Sequence, residues 1–254
     1  MVTTATPAPE SPVPDSSNSF SRIFGVLFSP KATFASIAAR PTWIVPVLVA
    51  VVIGLCFTTA AGKRVGWRSV IEKQIASSAT AQKQMDQLPA DQREQAIETR
   101  VKIAPYFGYC LNVIAPFIGV LLFAAVFMGI FNAVLGARIS FKSSLGVMSY
   151  AWVPQIVALL FALVILFIKD PSTIDIQNVV ASNPGAVLSD DSPKWLVALL
   201  GSFDLFSFWT LITLSFGYSA ADSKKISFGK ALGTFIVIWL IYVAAKVGLT
   251  AAFS

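Results

Sequence analysis

Asp204 is the residue of this chain whose type and position most clearly suggest a chemical role, because it interrupts the apolar run WLVALLGSFDLFSFWTLITLSFG at 195–217. In a helix that starts at Trp195, Asp204 lies roughly 13 Å along the axis, near the centre of a bilayer. A charge at that depth costs several kcal/mol unless it is paired or hydrated. An intramembrane carboxylate therefore has two chemistries to offer, a structural ion pair or a proton or ion relay.

Lys246 is the predicted partner of Asp204. The turn between the last two apolar runs centres near Lys225, and Asp204 and Lys246 lie equally far from that point on either side. Antiparallel helices bring them to one level, which predicts an Asp204–Lys246 ion pair that fixes the register of the hairpin. The relay stays open as the alternative, although the apolar runs contain no second acid that would continue it.

The sequence lacks the residues and motifs that other kinds of catalysis or metal binding would require. The chain has no histidine, and its two cysteines, Cys56 and Cys110, lie in or beside apolar runs, which disfavours a disulfide framework or a cysteine metal site. No Walker loop, HExxH, GxSxG or pair of intramembrane aspartates occurs. We therefore expect no enzymatic activity, no cofactor and no metal.

The elements that position Asp204 must be membrane helices. Of 254 residues, 56% are hydrophobic and 13% charged, with a mean hydropathy of +0.73. This composition predicts an all-α integral membrane protein. Windows of about 20 apolar residues predict a bundle of five transmembrane helices. They lie at 43–61, 107–135, 145–168, 195–220 and 228–252.

Three regions organise the chain. A Pro/Ser/Thr-rich tail at 1–19 is predicted to be disordered. Amphipathic helices that lie at the membrane surface follow at 20–42, with Ser29 as N-cap and Pro30 as first helical residue; a core helix packed on protein is the alternative. The five-span membrane domain occupies 43–254, and its polar loop 63–104 contains a helix that enters the second span through Pro105.

The net charge of +6 is scattered between apolar runs, so the sequence predicts a bilayer as partner and no nucleic acid. Outside loop 63–104, basic residues concentrate before the first span and in the second and fourth loops, which predicts a cytoplasmic N-terminus. Lys63, Arg64 and Arg68, just after the first span, argue for the opposite orientation. Interfacial belts are expected from aromatic residues at the span ends, namely Trp43, Trp67, Trp195 and Tyr218.

Two similar eight-residue segments, which we call the echo motifs, suggest a duplicated hairpin. ISFKSSLG at 139–146 and ISFGKALG at 226–233 share five of eight residues, and each opens a span after a short basic loop. Spans two and three would then be repeated as spans four and five in parallel orientation. A chance match of eight residues is the alternative.

Three stretches resemble the Yip domain family, the Ypt-interacting membrane proteins, and specifically its prokaryotic branch. They are LFSPKATFASIAARPTW, which contains Pro30, ISFKSSLGVMSYAWVP, which contains Pro154, and SFDLFSFWTLITLSFGYSAADSKKISFGKAL. In the third stretch, Asp204, Phe206, Trp209 and Gly217 stand at matching places. The tail and loop 63–104 lie outside the resemblance.

The resemblance implies five membrane helices, a cytoplasmic N-terminus and no catalysis. For a bacterial chain it implies the cytoplasmic (inner) membrane, and some bacterial relatives are associated with ABC-type export machinery. We therefore expect a non-enzymatic adaptor or assembly factor for another membrane protein complex. A small transporter or channel that uses Asp204 is the alternative, and a water-accessible cavity reaching Asp204 would favour it.

Overall fold

The structure is a computed structural model that describes residues 18–189 and 192–252. Of the predicted disordered tail, residues 1–17 lie outside the described residues, and Ser19 already belongs to the first helix. The described residues contain α-helices and short 3-10 and π turns but no strand. The α-helices are α1 Ser19–Phe28, α2 Pro30–Ala39, α3 Ile44–Ala61, α4 Trp67–Ser77, α5 Ala79–Asp86, α6 Ala90–Leu135, α7 Phe141–Ala151, α8 Val153–Ile168, α9 Lys194–Leu200, α10 Leu205–Ala221 and α11 Phe228–Ala252.

The chain is an all-α integral membrane protein, as predicted. Four helical segments are long and apolar enough to cross a bilayer: Ile44–Ser77, Ala90–Leu135, Phe141–Ile168 and Phe228–Ala252. The bent pair α9 and α10 gives a fifth span if it is counted as one crossing. Each predicted span coincides with one of these segments. Pro105 and Pro116 lie inside the unbroken helix α6, because neighbouring groups satisfy freed backbone atoms in membrane helices.

The two N-terminal helices behave differently. Helix α2 begins at Pro30 after Ser29, as predicted, but it buries Phe34 and Ile37 completely and packs against α10 and α7. It is thus a core helix. Helix α1 has the surface character that the sequence predicts, because Phe20, Phe24 and Phe28 are exposed on it.

Helices α4, α5 and the first four turns of α6 form a hairpin that continues the first two spans. A small apolar core holds it together, with Ile71, Ile75 and Met85 buried and Ile97 and Val101 of α6 packed against them. The prediction that loop 63–104 contains a helix entering the second span through Pro105 is confirmed.

The membrane domain has two ends. We call face A the end that carries the α6–α7 and α10–α11 connections, and face B the end that carries the hairpin and the loop 169–193. The core near face A contains an aromatic cluster, made of Phe127, Phe131, Tyr218 and Phe235. Tyr218 is fully buried and stacks on Phe131 with ring centroids 4.7 Å apart, so the prediction that it belongs to an interfacial belt is wrong.

The two echo motifs occupy equivalent places in the fold. Ser140 caps α7 by accepting from Ser143 N, and Ser227 accepts from Lys230 N at the start of α11. The isoleucines that open the motifs, Ile139 and Ile226, are buried. Each is held through its carbonyl by the side chain seven positions earlier, that of Asn132 and that of Ser219 respectively.

Candidate functional site

Asp204 lies at the N-terminus of α10, where the fourth span is broken. Helix α9 ends at Leu200 and α10 starts at Leu205, with a bend of 45° between them. The Asp204 carboxylate caps α10: Oδ1 accepts from Ser207 N at 3.0 Å, and Oδ2 accepts from the Ser182 hydroxyl. A helix N-terminus stabilises a carboxylate through its free N–H groups and its dipole. Asp204 is thus held by a cap instead of standing inside a continuous helix.

Lys246 has a different partner from the one that the sequence predicted. Its Nζ donates to Ser202 Oγ at 3.2 Å, and no ion pair joins it to Asp204 in the described structure. The equal spacing about Lys225 does bring Lys246 to within two residues of Asp204. The break between α9 and α10 then turns the carboxylate toward Ser182 and Ser207, because the capping position needs it there.

A cavity of about 440 Å³ opens beside Asp204. Helices α8 and α10 form its walls, together with α3, and the segment 176–183 of the face B loop covers it. Its polar lining consists of Gln155, Gln177, Asn178, Ser182, Asn183, Asp204 and Ser207. Most small-molecule sites are predominantly apolar with a few polar groups, so this cavity is unusually rich in hydrogen-bonding side chains for a membrane domain.

Polar contacts continue along α10 beyond the residues that line the cavity. Gln155 Nε2 donates to Thr210 Oγ1 at 3.1 Å, and Thr210 lies six residues past Asp204, or about 9 Å along the helix. Asn183 Oδ1 is buried without a hydrogen-bond partner, although its amide nitrogen donates to Asn178 Oδ1. A buried acceptor without a donor is costly, so this atom is a place where a donor would be stabilised.

The part of the bundle toward face A is filled. Beyond Thr210, Thr213 donates to the Ala151 carbonyl at 2.8 Å, and Tyr218 meets Ser144 at 2.5 Å in a buried hydrogen bond. Phe127 and Phe235 pack against Tyr218. The residues around Asp204 thus face a cavity that reaches face B and is separated from face A by close-packed side chains.

The remaining family-like positions serve the packing around this site. Phe206 is buried, lines the cavity and packs on Trp209 with ring centroids 6.4 Å apart. Pro154 is buried in the first turn of α8, just after the interruption of the third span at Trp152. Gly217 lies where α10 meets α2 and α7, since a Cβ there would overlap Val147. Pro30 opens α2 and lies apart from the cavity.

Sequence reasoning missed the polar side chains that line the cavity together with Asp204. A glutamine after Pro154 inside an apolar run was a usable signal for Gln155, because a polar side chain in a span usually faces the bundle interior. Ser182 and Asn183 had no such signal, since they belong to a loop of ordinary polar composition.

The sequence profile of the Yip1 domain matches residues 24–249 of this chain, which is nearly its whole length. No curated protein and no solved structure matches it.

Proposed function

Because the chain belongs to the Yip1 domain family, we propose that it is a non-enzymatic membrane adaptor that holds or helps to assemble a partner membrane protein complex. The chain is a multi-pass membrane protein, and an adaptor role is what we propose for it. The observation that supports it is the hairpin on face B, which continues two membrane spans and includes the unbroken helix α6.

Helix α6 runs for 46 residues from the hairpin through the bundle without a break. At 1.5 Å per residue, the part from Ala90 to Phe107 extends roughly 25 Å beyond the apolar run. Arg68 bridges the two arms of the hairpin by donating to both carboxylate oxygens of Glu94, at 2.8 and 2.9 Å. A partner that binds this hairpin would be coupled to the membrane bundle through continuous helix.

The hairpin is also fastened to the loop at 169–193. Lys73 Nζ donates to the Ile174 carbonyl at 2.7 Å, and Gln177 Nε2 donates to Ser77 Oγ at 2.6 Å. These contacts join the hairpin to the loop that covers the Asp204 cavity. A movement of the hairpin caused by a bound partner would therefore be transmitted by direct hydrogen bonds to the loop that covers the cavity.

We further propose that the N-terminus and face A are cytoplasmic. The short connections on face A carry five basic residues and one acid, namely Arg138, Lys142, Lys224, Lys225 and Lys230 against Asp222. The face B loop at 169–194 carries two lysines and four aspartates. Short loops rich in Lys and Arg stay in the cytoplasm. Lys63, Arg64 and Arg68 of the hairpin, just after the first span, are the exception to this rule on face B.

The test of the adaptor role is purification of the tagged full-length chain in mild detergent at native expression level, followed by mass spectrometry of the co-purifying proteins. We expect a membrane complex in fixed proportion, and we expect that complex to lose subunits when the chain is deleted. Photo-crosslinking from Gln82 or Gln92, both exposed on the hairpin, should capture a subunit of the same complex. A chain that purifies alone, with every membrane complex intact after deletion, would refute the role.

A transporter that uses Asp204 is the second candidate, and the cavity beside Asp204 favours it. Asp204→Asn separates the two functions, because Asn and Asp are equally good N-caps while only Asp releases a proton. A transporter predicts ion flux in proteoliposomes that this substitution abolishes. The adaptor predicts no flux and an unchanged partner complex.

A further inference from the structure

A separate cavity lies in the hairpin, near the point where α6 leaves the membrane. It has a volume of about 320 Å³, at the low end for ligand pockets. Apolar side chains of α4 and α6 form most of it, including Ile71, Ile75 and Ile103. Phe107 lines the end of the cavity nearest the membrane, and Arg100 lines it seven residues earlier in α6.

The level of the membrane surface on face B follows from two neighbouring glycines. The apolar run of α3 ends at Ala61, just before Gly62, and the apolar run of α6 begins at about Gly108. The Trp67 ring lies against both glycines, since a Cβ at either would contact it. Tryptophan is enriched at this depth of a bilayer. Phe107 is therefore at the membrane surface, and Arg100 is about 10 Å outside it.

Arg100 is the one cationic side chain that lines this cavity. It is half-buried, and no ion pair or side-chain hydrogen bond joins it to another described residue, in contrast to Arg68 and Arg93 on the same hairpin. A guanidinium group in this position matches a phosphate group, to which it donates two parallel hydrogen bonds.

The surface between the cavity and the bilayer is apolar. Ile103, Tyr106 and Phe107 are 57%, 75% and 69% exposed, so they offer a continuous path for hydrocarbon from the membrane to the cavity. A water-soluble anion would leave this apolar lining uncovered, whereas a phospholipid covers it with an acyl chain.

We propose that the hairpin cavity binds one phospholipid from the adjoining leaflet. An acyl chain occupies the apolar cavity, and the phosphate of the headgroup accepts hydrogen bonds from Arg100. This lipid site is independent of the Asp204 cavity and of the adaptor proposal.

Native mass spectrometry of the purified full-length chain tests the site. The detergent-solubilised protein is titrated with phosphatidylglycerol and with diacylglycerol of the same acyl chains, two lipids that differ by the phosphoglycerol headgroup. We expect phosphatidylglycerol to bind about tenfold more tightly, the ratio expected of one charge-assisted phosphate contact.

Arg100→Gln should remove that preference and leave diacylglycerol binding unchanged. Lys102→Gln is the matched control, because Lys102 is exposed on the same helix and does not line the cavity. Ala81→Trp, which fills the cavity mouth, should lower the binding of both lipids. Equal losses with Arg100→Gln and Lys102→Gln would mean unspecific attraction and would overturn the proposal, as would equal binding of the two lipids by the unaltered chain.

Discussion

Alanine at Gly217 should measure how closely three helices meet near face A. A Cβ at this position would overlap Val147 Cγ1 and lie 3.1 Å from Phe34 Cδ1. Val147 and Phe34 are fully buried, so neither side chain can move into lipid or water. Overpacking of this kind costs about 1–3 kcal/mol, while Gly→Ala inside a helix gains about 0.5–1 kcal/mol. The free energy of unfolding should therefore fall by roughly 0–2.5 kcal/mol.

Gly233→Ala is the control that isolates the packing cost. Gly233 lies inside α11, and a Cβ there meets nothing within 4 Å, so this variant should gain about 0.5–1 kcal/mol. SDS titration from mild detergent, followed by circular dichroism, measures both variants. Val147→Ala should rescue Gly217→Ala because it removes the overlapping methyl group. Equal stability of Gly217→Ala and Gly233→Ala would refute the close approach of α2, α7 and α10.

Three further comparisons test the capping and the buried hydrogen bonds. Asp204→Ala should cost about 1 kcal/mol of unfolding free energy in the same SDS titration, because α10 loses its cap, whereas Asp204→Asn should cost a few tenths at most. Ser144→Ala should destabilise the chain more than Tyr218→Phe does, by about 1 kcal/mol, since only the former leaves the buried Tyr218 hydroxyl without its partner; equal losses would contradict this. Hydrogen bonds from the Ser172 side chain and backbone lower the pKa of Asp170, so the capped turn at 170–173 is stabilised above the ordinary carboxyl pKa of about 3.9 and loses that contribution as the pH falls through the lower folded value. Ser172→Ala should raise the pKa of Asp170 toward the ordinary value in an NMR titration of the carboxyl carbon, and an unchanged pKa would contradict the cause.

The spans were predictable because their signal is long and strong. A run such as 228–252 is apolar over the whole bilayer thickness, and lipid leaves the backbone no alternative to a helix. The level of Lys246 could also be counted from the turn, to within two residues of Asp204. The break at 201–204 could not be predicted, because Gly201 and Ser202 are common inside membrane helices and the partner that holds Asp204 at the break, Ser182, comes from a distant loop.

The burial of α2 could not be predicted from the sequence either. The sequence predicts a surface helix, but Phe34 is buried in the core where α2 packs against α10 beside Gly217. Such burial depends on small residues, such as Gly217, in helices that are distant in the sequence. The hydrophobic pattern of α2 itself does not contain that information.

The echo motifs connect the architecture to the position of the cavity. Phe131 and Tyr218 lie at equivalent positions of the two motifs, eight residues before Ile139 and Ile226, and they stack directly on each other. The two hairpins that carry the motifs thus meet through aromatic rings on the side of face A, where their connections are short. Toward face B the two hairpins differ, because the helix of the third span is interrupted at Trp152 and the fourth span breaks before Asp204. The cavity lies beside these two irregularities, and the long face B loop supplies part of its polar lining. The cavity therefore occurs where the two hairpins differ, which explains why it opens to one face of the membrane only.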